Sequence, residues 1–182
     1  YDFLAQGMGG IMSVTGDPST PPVKIGVAAT DIITGIYSST AILAALHHRH
    51  ATGRGQYIDM SLLDSQVSYL ANIGLHYLTS GEVPRRLGNE HPNIVPYSVV
   101  TCADGYFILA VGNDSQFEKF CSFAGVADWA KDPRFTTNPA RVQNRIELYK
   151  MINELTAQKP QKHWIEGLEA LGVPCGPVNN VD

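Results

Sequence analysis

Asp31 stands where a loop rich in Gly, Pro and Thr gives way to an apolar helical pattern, Pro21-Pro22-Val23-Lys24-Ile25-Gly26-Val27-Ala28-Ala29-Thr30-Asp31-Ile32-Ile33-Thr34-Gly35. A carboxylate at such a junction can serve as the helix N-cap, which is the commoner fate of an Asp there. It can also be a nucleophile held at the positive end of a helix. Other chemistry-bearing groups are weaker. His47, His48 and His50 invite a metal reading, but His47 and His48 project about 100° apart on a helix and no carboxylate is suitably spaced. A polar helix end is expected there, with no metal site. Gly112-Asn113-Asp114-Ser115 lacks the Gly-Lys-Ser/Thr ending of a phosphate loop. Asp59 and Asp64 are expected to be structural, one beside a turn and one in a first helical turn. Arg141, Asn144 and Arg145 occupy adjoining helix faces, and structural ion pairs are expected of them.

These groups sit in a chain of 182 residues, 44% apolar and 16% charged, with net charge −4. The composition is that of a folded protein able to bury a core. The acidic balance and scattered Lys and Arg argue against nucleic acid as a partner. Cys102, Cys121 and Cys175 are odd in number and far apart. They suit neither a disulfide framework nor a zinc site, so packing roles in a reducing compartment are expected. No uninterrupted apolar run approaches the ~20 residues of a membrane span, so no membrane partner is expected. The chain lacks an initiator Met and opens in what reads as a folded segment, Tyr1-Asp2-Phe3-Leu4-Ala5. It reads as an internal piece of a longer protein.

The elements that must position Asp31 follow from pattern. Residues 1–9 predict a short amphipathic helix ended by Gly9-Gly10, and residues 13–26 a loop. Residues 31–50 predict a helix whose mixture of Ile, Leu and small residues implies burial on several sides. His47 to His50 close it with charge suited to a C-terminus, and Thr52-Gly53-Arg54-Gly55 is a turn. Gln56 to Met60 alternates as a short strand would. Ser61 or Asp64 then opens a helix to about Leu78. Ser80-Gly81-Glu82-Val83-Pro84 breaks it, and a domain boundary is placed near Leu87. Beyond it, residues 98–101 and 106–111 flank Ala103-Asp104-Gly105, a hairpin signal. Helices are predicted over 115–124, capped by Asn113 or Asp114, over 140–157, and over 161–171, the last followed by Gly172 and Pro174.

Several segments together resemble one family, the class III CoA-transferases of CaiB/BaiF type. They are Tyr1-Asp2, Gly9-Gly10, Thr15-Gly16, Pro22, Gly26, Asp31 and Gly35, then Thr52-Gly53-Arg54-Gly55-Gln56, Asp59 and Asp64. Further on come Gly88-Asn89, Pro96-Tyr97, Asp104-Gly105-Tyr106, Asp132-Pro133-Arg134-Phe135 and Gly172-Val173-Pro174-Cys175-Gly176-Pro177-Val178. The resemblance covers essentially the whole chain. It implies an α/β fold: residues 1–87 as the later part of a Rossmann-like large domain, and residues 88–182 as a smaller α/β domain. It also implies an interlocked homodimer and a cytoplasmic setting, mitochondrial in a eukaryote.

The resemblance further implies that Asp31 is the acyl-accepting nucleophile. A carboxylate with an unperturbed pKa of ~3.9 is ionised at neutral pH and needs no general base. The substrates would be an acyl-CoA and a small carboxylic acid, with no permanently bound cofactor. Tyr1 stands where related α-methylacyl-CoA racemases have a His. A phenol of pKa ~10 is a poor base but a good donor to a substrate carboxylate, which favours transfer over racemisation; the other alternative is an inactive fragment that acts only as a structural or interaction module. Tyr1, Asp2, Gly88, Asn89 and His91 are the implied substrate-binding residues; for Leu62, the implied contact to CoA and apolar packing in the core both remain open. Gly88-Asn89-Glu90-His91-Pro92-Asn93-Ile94 lacks the glycine run of formyl-CoA transferase. It looks more like transferases that pair succinyl-CoA with C4–C6 dicarboxylates. For His91, a bond to a distal carboxylate and simple packing beside Pro92 both remain open.

Overall fold

A computed structural model describes residues 1–182, which divide into two compact units, Tyr1–Gly88 and Asn89–Asp182. The first unit is helical: α1 (Asp2–Met8), a 3-10 turn (Ile11–Ser13), α2 (Ala29–Thr52), α3 (Leu62–Ser68) and α4 (Ala71–Ser80). The loop between Val14 and Ala28 carries the prolines, which cannot donate to a ladder or helix. The α2 helix closes on Gly53 at φ 72°, a left-handed position where glycine carries no Cβ penalty. Ser61 caps α3 by accepting from the Asp64 amide, so of the two candidate openers Ser61 is the cap.

Three expectations for this unit are corrected. Gln56 to Met60 forms no strand; alternation alone makes no sheet without a partner ladder. The helix expected from 61 to 78 is two helices, α3 and α4. The chain breaks between them, with Ala71 at φ 47°, a conformation costing a non-glycine residue about 1–2 kcal/mol and signalled by no Gly or Pro. The burial expected of α2 is absent: only Ala29 and Thr30 are buried, while Ile36, Leu43 and Leu46 stand 59%, 67% and 51% exposed. Those side chains face solvent. By length and by a mean hydropathy of 1.3, α2 is also long and apolar enough to cross a membrane.

The second unit is a three-stranded antiparallel sheet with helices packed on it. Strands β1 (Tyr97–Cys102) and β2 (Gly105–Ala110) form a hairpin in the register Cys102↔Gly105, and β3 (Cys175–Pro177) joins β2 at Phe107↔Pro177. The helices are α5 (Asp114–Phe123), α6 (Asn138–Gln143), α7 (Arg145–Thr156) and α8 (Gln161–Ala170). Asn113 caps α5 by accepting from the Gln116 amide. The helix expected over 140–157 is interrupted at Asn144, whose side-chain amide donates to Ala140 O at 2.9 Å. Such a side chain competes with the helical backbone. The third strand, only three residues long, carries no alternation by which pattern could find it.

Alternation in the hairpin sends Val100, Phe107 and Leu109 inward, where they meet Phe117, Phe120, Leu148, Ile152, Trp164 and Leu168 in one core. Trp164 Nε1 donates to Thr156 O at 2.9 Å, so its one polar atom is satisfied inside. Gly167 is required by close approach, since a Cβ there would overlap the Phe123 ring. Cys102 and Cys121 are buried and Cys175 half-buried, all unpaired. Burial pushes the Cys121 thiol up to about 12, so it is inert.

Candidate active site

The first turn of α2 is built without a cap of its own. Its N-cap is Ala28, which offers no side-chain acceptor, so the early amides of the helix need partners from elsewhere. Asp2, the first residue of α1, supplies one. Its Oδ1 accepts from the Thr30 amide at 2.9 Å and its Oδ2 accepts from Gln6 Nε2 at 2.8 Å. Asp2 and Gln6 are four apart on α1, a spacing that puts both on one face. Gln6 in turn accepts from the Ile25 amide at 2.9 Å, pinning the loop that leads into α2.

A third element closes the frame. Thr30 donates its hydroxyl to Gln66 Oε1 of α3 at 2.6 Å, and both residues are buried. Gly9 makes this approach possible, because a Cβ there would overlap Gln66 Cγ. Gln66 Nε2 is buried without a partner.

Asp31 is the third residue of α2, next to this frame and outside it. It is exposed, and no hydrogen bond or ion pair engages its carboxylate. The capping role open to it from sequence is therefore taken by Asp2. What remains is an anionic oxygen pair facing solvent at the positive end of a 24-residue helix. Such a group can attack an electrophilic carbon.

The other expected site residues fall as follows. Tyr1 is the N-cap of α1, and its side chain is 94% exposed. Asp2 is brought to the turn carrying Asp31, but with both oxygens occupied by protein donors. Leu62 is the half-buried first residue of α3. Gly88, at φ 61°, donates its amide to Gly16 O at 3.0 Å, so it is tied to the Gly16-Asp17 loop. Asp17 there is held below the ordinary carboxylate range by the Ser19 hydroxyl and amide.

Asn89 and His91 open the second unit. Asn89 is exposed. His91 Nδ1 accepts from the Asn93 amide at 3.1 Å, so the neutral ring carries its proton on Nε2. The imidazole packs tilted against Tyr97, 5.3 Å between centroids. Burial raises the neighbouring Glu90 above the ordinary range, against the pull of Arg145 3.2 Å away. Arg141 is fully buried and structural, bonded to Val95 O, Phe135 O and Asp114. No group of three His, Cys, Asp or Glu side chains is placed to hold a metal ion.

Gln6, Thr30 and Gln66 do not stand out along the sequence as site residues. The Asp2-Gln6 spacing is a usable signal. Gln66 lies 36 positions from Thr30 and offers none.

The whole chain, residues 1–182, matches CoA-transferase family III. The chain belongs to this family. It is 50% identical over its full length to the succinate–glutarate CoA-transferase of Agrobacterium fabrum, covering 46% of that protein. It is 38% identical over 181 residues to the succinyl-CoA:glutarate CoA-transferase of Homo sapiens, covering 100% of this chain and 41% of that one. The crystal structure of a CaiB/BaiF family protein from Brucella suis superposes with a TM-score of 0.87 at 51% identity, over 100% of this chain and 48% of that one. The mixed helix and strand architecture expected from the resemblance is thus the family's. The chain spans about half the length of the curated relatives it matches.

Proposed function

We propose that the protein moves CoA from an acyl-CoA, succinyl-CoA in particular, to a dicarboxylic acid of the glutarate kind, with Asp31 as nucleophile. The observation that carries this reading is the unengaged Asp31 carboxylate, left free because Asp2 serves the Thr30 amide. The named activities of the Agrobacterium and human relatives support the substrate class. Asp31 attacks the thioester carbonyl, forms a mixed anhydride and releases the CoA thiolate. The thiolate attacks the Asp31 carbonyl of the anhydride, giving an aspartyl-CoA thioester and the free first acid. The acceptor carboxylate attacks that thioester and expels the thiolate, which then takes the acceptor's acyl group and restores the Asp31 carboxylate. Each tetrahedral oxyanion needs hydrogen-bond donors beyond Asp31 itself. The exposed flanks of α2 support a covered place for this helix in the intact protein, in keeping with an interlocked homodimer.

The test is to incubate the intact protein with succinyl-CoA, trap with hydroxylamine, and read position 31 by mass spectrometry. An aspartyl hydroxamate at residue 31 is expected. Its absence with every acyl-CoA tried would overturn the reading. Deuterium exchange at the α-carbon of a 2-methylacyl-CoA would point to a racemase instead.

A further inference from the structure

Three elements of the first unit converge on Thr30, the residue before Asp31. Thr30 is 1% exposed. Its amide donates to Asp2 Oδ1, its hydroxyl donates to Gln66 Oε1, and its carbonyl accepts from the Thr34 hydroxyl at 2.7 Å. Asp2 is itself oriented by Gln6, which is fully buried and tied to the Ile25 amide. A helix start needs nothing so elaborate: one Ser, Thr, Asn or Asp at position 28 would serve the first-turn amides. Burying amides and hydroxyls costs stability unless every partner is made, and Gln66 Nε2 lacks one. The frame is therefore poorly explained as a device for stability. It is well explained as a device for orientation, because it holds the backbone on the N-terminal side of one exposed carboxylate from three directions.

We propose that Asp2 is a positioning residue: acting through Gln6 and Thr30, it fixes the turn from which Asp31 meets the acyl carbon. The proposal rests on Asp31 being the nucleophile. It gives Asp2 a task different from contact with substrate. Misplacing a reacting group by about 1 Å can cost about 10²-fold in rate, which sets the expected size of the effect.

The test compares hydroxamate formation at residue 31 and steady-state transfer in the intact protein, its Asp2→Asn variant and the double variant Asp2→Asn with Gln6→Glu. In the single variant two NH2 groups face each other at positions 2 and 6, and the frame loosens. In the double variant the new amide at position 2 keeps its oxygen for the Thr30 amide and donates to the new carboxylate at position 6, while the long 3.5 Å bond from Gln6 Nε2 to Val27 O is given up. The other oxygen of that carboxylate still takes the Ile25 amide. The expected result is a kcat lowered by about 10²-fold in the single variant with KM for acyl-CoA little changed, and most of that loss recovered in the double variant. An unchanged kcat, a raised KM alone, or a folded double variant no better than the single would each overturn the proposal.

Should the single variant fail to fold, amide hydrogen exchange on the unaltered protein decides. Thr30 is expected to be protected although it lies in a first helical turn. Exchange at the rate of a free amide would overturn the frame. Protection at Thr30 with no adduct on Asp31 would sink the nucleophile reading, and with it the purpose assigned to Asp2.

Discussion

The two units bury opposite kinds of residue. In Asn89–Asp182 the interior is a continuous apolar cluster running from Val95 to Val173, with Arg141 the large polar exception. In Tyr1–Gly88 the buried apolar side chains are Ala5 and Ala29, alongside Gln6, Thr30, Ser65 and Gln66. The large apolar side chains of α2 instead point outward. Hydrophobic burial brings about 25 cal/mol per Å² and dominates folding, whereas a typical hydrogen bond contributes about 1 kcal/mol net. The second unit is thus organised for stability. The first is organised around one turn, and the apolar flank of α2 faces solvent.

Both units nonetheless solve one problem the same way. Neither α2 nor α8 has a side-chain cap at its own N-cap residue, Ala28 or Pro160. In each an aspartate from a distant element serves a first-turn amide: Asp2 for Thr30, and Asp104 at the hairpin tip for Gln161 at 2.7 Å. At α8 the borrowed cap ties a hairpin to a helix. At α2 it leaves a second carboxylate free.

This contrast can be broken most severely at Asp31. Asp31→Ala in the intact protein is expected to lower CoA transfer by about 10³-fold or more, while the melting temperature changes little because the side chain is exposed and no hydrogen bond or ion pair engages it. A large loss of stability instead would return Asp31 to a structural role. The Asp2→Asn effect described above is the next largest, and it should be a loss of rate in the first unit.

In the second unit the same severity should appear as lost stability. Trp164→Ala removes a 2% exposed indole from the core and is expected to cost about 3–5 kcal/mol, measured by urea unfolding of the 182-residue chain. Leu43→Ser on the 67% exposed flank of α2 is expected to change that chain's stability by less than about 0.5 kcal/mol. The same substitution made in the intact protein should cost several times more if the flank is covered there. Equal effects in both settings would remove the case for a covered α2.

The smallest expected effect is one of pH. The Gln161 amide and the Cys102 thiol hold Asp104 below its usual 3.8. A carboxyl whose folded pKa is depressed stabilises the fold above its unfolded value, and that stability is lost as pH falls through the folded value. Asp104→Ala should therefore flatten the acid side of the unfolding profile below about pH 4, with little change in its slope near neutrality. A profile that keeps its acid slope would show that the borrowed cap at α8 contributes nothing.

Much of this was legible along the chain, because the physics involved is local. Ser61 or Asp64, and Asn113 or Asp114, were readable as helix openers, Ala103-Asp104-Gly105 as a hairpin tip, and Thr52-Gly53-Arg54-Gly55 as a turn after a helix. Each depends on a side chain and a backbone group within a few residues. Asp31 stood out for the same reason, as an acid at a loop-to-helix junction, and the wider pattern of motifs pointed to the family that the whole chain matches.

What tertiary structure decided was the assignment of work among those groups. Asp2 lies 28 positions from Thr30, and Gln66 lies 36 from it, so no spacing rule could show that the cap of α2 comes from α1 and its brace from α3. The bend at Ala71, the short β3 and the outward face of α2 were equally hidden. Each is set by which surfaces meet in space, and a one-dimensional pattern reports how apolar a surface is without saying what will cover it.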